Sequence, residues 1–355
     1  MNLNKLLKVF AVSYAAGTIG ICSANSVEGK TVAFIPKIVG NEFFDSAAEI
    51  SQKFAKDWGF EVLYMGSRIA DVEEESKIVS QAIEKGVDAI CISSVDPEGL
   101  NEELKKAIDA GITVVTWDSD VNSSYRTIMV SQGTPEVLGH MLVDLAVDSL
   151  EKRGVDPDKK EVKYAWHYSQ NNVADQNSWQ KAGEKYIKEN YPNWINVAPK
   201  NFYSEQDFDK AIKIGNQIIK QHPDIDVIIC NDSTALPGQL EALKEKGLDK
   251  HDITVTGFAS PNPIKQYVKD DLIEQWGLWD CGFQGAIASY IAAYIDSGHS
   301  LGVGDEIIIP DIGTFKVMPN DCLVEGAATE KINNGVVLLY ERLIFTKENV
   351  DNYNF

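Results

Sequence analysis

A chain of 355 residues, 44% hydrophobic and 24% charged, has a soluble globular composition and is too long for one ordinary core. Its formal net charge of -20, from 33 basic and 53 acidic residues, excludes a general nucleic-acid binder, because phosphate binding needs a basic footprint. The same acidity disfavours adhesion of the folded body to an anionic membrane.

Residues 1–24 read as an export signal. Lys5 and Lys8 give a positive start, VFAVSYAAGTIGIC is apolar but short for a membrane span, and small residues follow in SANS. Losing this segment removes two lysines and no acid, which moves the formal charge from -20 to about -22. Cleavage is expected after Ala24. The alternative is lipid attachment at Cys22, at the outer face of the cytoplasmic membrane, although Ile21 before it is large for such a signal.

After the signal, short apolar strands alternate with amphipathic helices. TVAFIP is a strand, FFDSAAEISQKFAKDWG a helix with a Gly stop, and FEVLYMG a strand. VEEESKIVSQAIEKG is a helix whose acidic first turn suits the helix dipole. VDAICISS, PEGLNEELKKAIDAG and ITVVTWD continue as strand, helix and strand. The rhythm restarts with VKYAWHYS, DQNSWQKAGEKYIKENY and INVAPKNFY, then DFDKAIKIGNQIIKQH, IDVIICND, LPGQLEALKEKG and ITVTGF. LIEQWGLWD and GAIASYIAAYIDSG add a strand and a helix. DEIIIPDIGTFKVMPN reads as extended strands with turns, and GVVLLYERLIFTKENVDNYNF as a tail packed on the body.

Such alternation predicts an α/β fold with parallel sheets covered on both faces. The phrase KGVDAICISSVDPEGL is echoed by HPDIDVIICNDSTALPGQL, so two similar units stand in tandem. No Pro/Ser-rich linker separates them, which points to two doubly wound lobes joined by several short crossings.

Open parallel sheets bind ligands beyond the carboxyl ends of their strands. Those ends carry Lys37; Asp118 and Asp120; Asp175 and Gln176; Asn231, Asp232 and Ser233; and Asp280. No GxSxG elbow, P-loop or post-strand GxGxxG occurs. The five histidines show no ligand spacing, and His167, beside a strand end, reads more readily as a satisfied structural residue. Cys91, Cys230, Cys281 and Cys322 are far apart and lack zinc spacing; Cys91 and Cys230 read as buried thiols, with disulfide pairing left open. No cofactor or metal is expected.

What remains is carboxylates, amides, an amine and aromatics. Carboxylates accept from hydroxyls, Lys and amides donate to oxygens, and aromatic faces cover C–H surface. This is equipment for gripping a small polyhydroxylated molecule. The rival reading is a glycoside-acting enzyme, with Asp118 and Asp120 two apart on one strand face as an acid–base pair. Asp118 is favoured as a ligand contact, Asp120 as part of the turn, and Trp117 as packing beside the cleft.

The stretches AFIPKIVGNEFF, VVTWDSD followed by SQGTPEVLG, DQNSW, NDSTALP, GFASPN and EQWGLWD closely resemble the type I, ribose-binding-type periplasmic binding proteins that serve ABC importers. The resemblance covers essentially the whole mature chain and is nearest to their autoinducer-2 receptors, whose end this chain's tail GVVLLYERLIFTKENVDNYNF also resembles. It implies a periplasmic, non-enzymatic, monomeric receptor that delivers its ligand to a membrane permease. It implies two lobes joined by a three-segment hinge, assigned as 28–132 plus 262–303 and 133–261 plus 304–355.

The implied ligand is the cyclic, hydrated furanosyl form of autoinducer-2, without boron. By position, Lys37 donates to ring or hydroxyl oxygens, Asp118 accepts from the first lobe, Asp175 and Gln176 hold the second-lobe side, and Phe43 and Trp279 pack around the ring. Asn231 and Ser233 stand where these receptors have Pro and Ala. That departure keeps receptors for rhamnose or another pentose or hexose as the alternative. A repressor of the same core fold would carry a helix-turn-helix where this chain has its signal.

Overall fold

The structure, a computed structural model, describes residues 27–324 and 333–355. The expected signal, with Cys22, lies outside the described residues. In chain order come β1 (Thr31–Ile35), α1 (Glu42–Trp58), β2 (Glu61–Tyr64), α2 (Val72–Lys85), β3 (Ala89–Ile92), α3 (Asn101–Asp109), β4 (Thr113–Trp117) and β5 (Ile128–Ser131). Then follow α4 (Pro135–Lys152), β6 (Val162–Tyr168), α5 (Ala174–Asn190), β7 (Trp194–Asn196), β8 (Phe202–Tyr203), α6 (Phe208–Gln221), β9 (Val227–Cys230), α7 (Ala235–Glu245) and β10 (Thr254–Gly257). The chain closes with α8 (Pro261–Lys269), β11 (Gln275–Leu278), α9 (Cys281–Asp296), β12 (Glu306–Ile309), β13 (Gly313–Met318), β14 (Gly335–Leu338) and β15 (Leu343–Thr346).

The first sheet has the order β12-β13-β14-β5-β4-β3-β1-β2. Its strands β1 to β5 and β14 are parallel, while β13 and β12 add antiparallel at one edge. Alternation along the strands sorts two cores. Phe34, Cys91 and Val115 face one side, which α1 and α9 cover; Ala33, Ile35, Ile90 and Val114 face the other, with Val79 of α2 and Leu104 of α3. Local signals set the helix ends. Asn41 accepts from the Phe43 N–H at the start of α1, and Gly59 ends that helix in the left-handed region at φ +88°.

The second sheet, β10-β9-β6-β7 with β8 also on β6, is parallel throughout. The stretch INVAPKNFY is two short strands rather than one, because Pro199 has no N–H for a ladder. β11 pairs antiparallel with β15 and bridges Phe258 beside β10 through Gly277.

Two expected lobe boundaries are corrected by this topology. Residues 304–338, expected in the second lobe, belong to the first, whose sheet β12, β13 and β14 extend. Residues 262–278, expected in the first lobe, belong to the second, where α8 packs on α7, and β11 contacts α4 and β10. The reason is that sheet membership follows pairing in space, which tail strands satisfy without any helical crossover. The chain passes between lobes at 131–134, 278–281 and 338–343. Among the described residues, no helix is long and apolar enough to cross a membrane.

Candidate functional site

The carboxyl ends of both sheets face each other across a cleft of about 420 Å3, counting its open mouth. Lys37, Phe43, Asp118, Gln176, Asn231, Ser233 and Trp279 all line it. Asp175 stands at its side, where Ser119 Oγ donates to its Oδ1 at 2.7 Å. Seven of the eight residues expected as contacts or packing thus line one cleft, with Asp175 beside it.

On the first lobe, Asp118 follows the last residue of β4 with φ +59°, a left-handed turn that Asp tolerates better than most residues. Its Oδ2 lies 3.1 Å from Lys37 Nζ and accepts from Ser93 Oγ at 2.7 Å. Burial works against the Lys37 ammonium, but Asp118 and then Asp175 outweigh it, and its pKa is held above the ordinary lysine value. A second buried acid, Glu75, accepts from the Val95 N–H and is pushed up to about 8 by desolvation.

Asp120 belongs to the turn. Its carboxylate accepts from Arg126 at 2.8 and 3.1 Å and from Thr116 Oγ1 at 2.5 Å, so it is committed to structure. Trp117 is wholly buried, stacked on Phe34 at 4.5 Å, behind the cleft rather than in it.

On the second lobe, Asp175 lies in the first turn of α5, where the helix dipole favours a carboxylate. Desolvation pushes it up to about 6, against the pull of Lys37. Its Oδ2 is buried with no protein partner. Gln176 Oε1 accepts from Ser169 Oγ, which orients the amide. Asn231 is 2% exposed, and neither polar atom of its side chain has a protein partner.

Some cleft residues were not singled out from the sequence as ligand contacts. Asp232 caps α7 by accepting from the Thr234 and Ala235 N–H groups through Oδ1, while its Oδ2 is buried and unpartnered; desolvation pushes it up to about 6. Asn41, Phe44, Trp179, Gln206, Thr234, Phe258 and Leu278 complete the lining. Trp279 meets Phe43, Trp179 and Phe258 edge-on at 5.6–5.9 Å, so both lobes contribute to one aromatic wall. Its signal is only partly local, since the four rings lie on four separate segments.

Polar contacts tie the wall to the hinge. Trp279 Nε1 donates to Gln284 Oε1, Gln284 Nε2 donates to Gln132 Oε1, and Gln132 Nε2 donates to the Asp118 carbonyl. His167 is fully buried, with Nδ1 3.1 Å from Gln239 Oε1, and burial drives its pKa down to about 4. Cys91, Cys230 and Cys281 are buried free thiols, and Cys322 is free and half-buried. Among the described residues, no His, Cys, Asp and Glu cluster is placed to hold a metal ion.

Two α/β lobes, three crossings and a cleft lined by polar groups from both sides define a solute-binding protein. The periplasmic binding protein domain matches residues 32–299. The chain belongs to the periplasmic binding protein family. Among solved structures, it is 56% identical to LsrB from Clostridium saccharobutylicum in complex with AI-2, covering 92% of this chain and 100% of that one at a TM-score of 0.90. It shares 26% identity over 256 residues with the D-ribose/D-allose-binding protein of Pseudomonas aeruginosa, 70% of this chain and 76% of that one. It shares 24% over 279 residues with the ribose import binding protein of Escherichia coli, 76% and 85% of the two chains. A rhamnose-bound solute-binding protein from Clostridium phytofermentas shares the fold at 20% identity and a TM-score of 0.79, covering 91% of this chain and 98% of that one.

Proposed function

We propose that this protein captures autoinducer-2, in its cyclic furanosyl polyol form without boron, and delivers it to the permease of an ABC importer. One observation carries the reading: the Lys37–Asp118 pair on one lobe faces Asp175 and Gln176 on the other across the cleft. The relative of 56% identity that holds AI-2 supports it. An uncharged polyol suits the site, because one ammonium is set against the carboxylates of Asp118, Asp175 and Asp232. An anionic borate diester would meet repulsion there.

Lys37, Asp118, Asp175, Gln176, Asn231 and Ser233 are the proposed polar contacts, and Phe43 and Trp279 the packing ones. The protein acts as an exported monomer in the periplasm and leaves its ligand chemically unchanged; lipid anchoring through Cys22 is the alternative. A second reading, a receptor for rhamnose or another pentose or hexose, is favoured by the two unpartnered polar atoms of Asn231.

The test is mass spectrometry of the ligand released from purified protein by heat, joined to an autoinducer-2 bioassay. Release of intact autoinducer-2 is expected. A released sugar would replace the ligand and keep the class. Turnover of a glycoside that vanishes on Asp118→Asn would overturn the class.

A further inference from the structure

We infer that Ser119 is a positioning residue for ligand capture: it is the first-lobe donor that draws the second lobe's Asp175 into the cleft as the lobes close. The inference rests on the cleft being the ligand site proposed above, but not on which polyol fills it.

Ser119 is 3% exposed and its backbone is fixed on the first lobe. The Ser94 N–H donates to its carbonyl, and its own N–H donates to Ser93 Oγ at 3.4 Å. The left-handed turn at Asp118 lets two consecutive residues serve two partners. Asp118 meets Lys37 and Ser93, while Ser119 Oγ reaches Asp175 Oδ1 at 2.7 Å. One Asp175 oxygen is thereby held, and the buried, unpartnered Oδ2 is left for a ligand hydroxyl. Other cross-lobe bonds leave the cleft carboxylates alone: Asn172 to Asp96 and Asn262 to Glu42 are exposed to water, and Gln170 to the Ala70 carbonyl and Asn41 to Thr234 are part-buried but hold no carboxylate.

The same bond also favours the ionised form of Asp175, after burial, Lys37 and Asp118 have acted on it. Facing it are Lys37 from the end of β1, Asp118 from the end of β4 and Tyr168 from β6; Asp232 and Glu75 act on Lys37 in turn. Burial favours the neutral carboxyl, and Lys37 and Ser119 favour the ionised one. Without the Ser119 donor, Asp175 takes up a proton at higher pH.

The experiment compares wild type, Ser119→Ala and Ser119→Thr in three measurements. These are the ligand-free closed fraction by fluorescence transfer between lobes, autoinducer-2 affinity by calorimetry, and the pH midpoint of affinity loss. In Ser119→Ala the closed fraction is expected to fall, affinity to drop roughly tenfold, and the midpoint to move to higher pH. Ser119→Thr keeps the hydroxyl and restores all three. If wild type binds no autoinducer-2, the ligand reading fails, and the closed fraction alone decides the role of Ser119. An unchanged closed fraction, or an unmoved pH midpoint where binding occurs, in Ser119→Ala protein melting like wild type overturns the inference. Should that variant not fold, Asp175→Ala removes the acceptor of the same bond, and an unaltered closed fraction there overturns the inference equally.

Discussion

Lys37 Nζ stands 3.1 Å from Asp118 Oδ2, with only 5% and 7% of the two side chains exposed. Removing one partner of a buried pair leaves an uncompensated charge, which costs about 3–5 kcal/mol. Asp118→Ala is therefore expected to lower the melting temperature as well as weaken ligand binding by at least tenfold. Lys37→Met combined with Asp118→Asn removes both charges, so stability should return while binding does not. Calorimetry and thermal unfolding separate the two effects. Unchanged affinity in Asp118→Ala would remove this pair from the binding site.

Acid should release the ligand. Asp175 and Asp232 are each pushed up to about 6 by desolvation. A raised carboxyl pKa means that the closed protein takes up a proton readily, whereas hydroxyl donors of a polyol need the ionised form. Protons and ligand therefore compete, and affinity is full above about pH 7 and falls as pH drops through about 6, by up to tenfold per unit for each group. Titrations between about pH 7.5 and about pH 5 check this. A flat profile would show that neither carboxylate accepts from the ligand.

The alternation of apolar strands and amphipathic helices made both parallel sheets legible, because each helix such as α1 buries one stripe and exposes the other. The helix α4 is harder to read: it packs against α5, β10 and β11, so apolar residues surround it and the periodic signal fades. The lobe assignment of β11 to β15 was also beyond local pattern, since nothing in the strands themselves marks that β14 joins β5 in the first sheet while β15 joins β11 in the second lobe. At the site, strand ends pointed to Lys37, Asp118, Asp175, Gln176, Asn231 and Ser233. Asp232 was noted as a strand-end acid, but its second role stayed hidden: helix capping explains one oxygen and says nothing about the other. Phe258 and Trp179 line the cleft beside Trp279 from distant segments, a meeting that no local pattern shows.

Asn231 should set ligand preference. Its amide is buried with both polar atoms unpartnered, and such atoms cost about 1–3 kcal/mol each unless a ligand or water satisfies them. Asn231→Ala is expected to weaken the natural ligand roughly tenfold while leaving the free protein as stable or more so. Adding Ser233→Ala should lower affinity for a pyranose sugar more than for autoinducer-2, because the larger ring brings more hydroxyls to that wall. Competition titrations with both ligands measure the ratio. Equal losses for the two would mean that the loop contacts run through the backbone instead.

Gly257 should be intolerant of any side chain. It ends β10 at φ +154°, opposite Cys230 of β9, and a Cβ there would lie 1.5 Å from the Cys230 carbonyl oxygen. That carbonyl already accepts from the Phe258 N–H at 2.9 Å, so the strand cannot simply slide away. Ala at 257 must push β10 off β9, which displaces Phe258 from the aromatic wall and disturbs Asn231 at the end of β9. Gly86 is the natural comparison: it also has positive φ, +67°, but an added Cβ meets nothing within 4 Å. Gly86→Ala should cost only about 1 kcal/mol, the ordinary penalty of a left-handed residue. Gly257→Ala should cost at least about 4 kcal/mol, a fall of roughly 6 °C or more in melting temperature for a chain of this size. It should lose ligand binding even where it folds. If thermal unfolding places both variants within about 2 °C of each other, the close approach of β9 and β10 beneath the cleft is not present in the molecule.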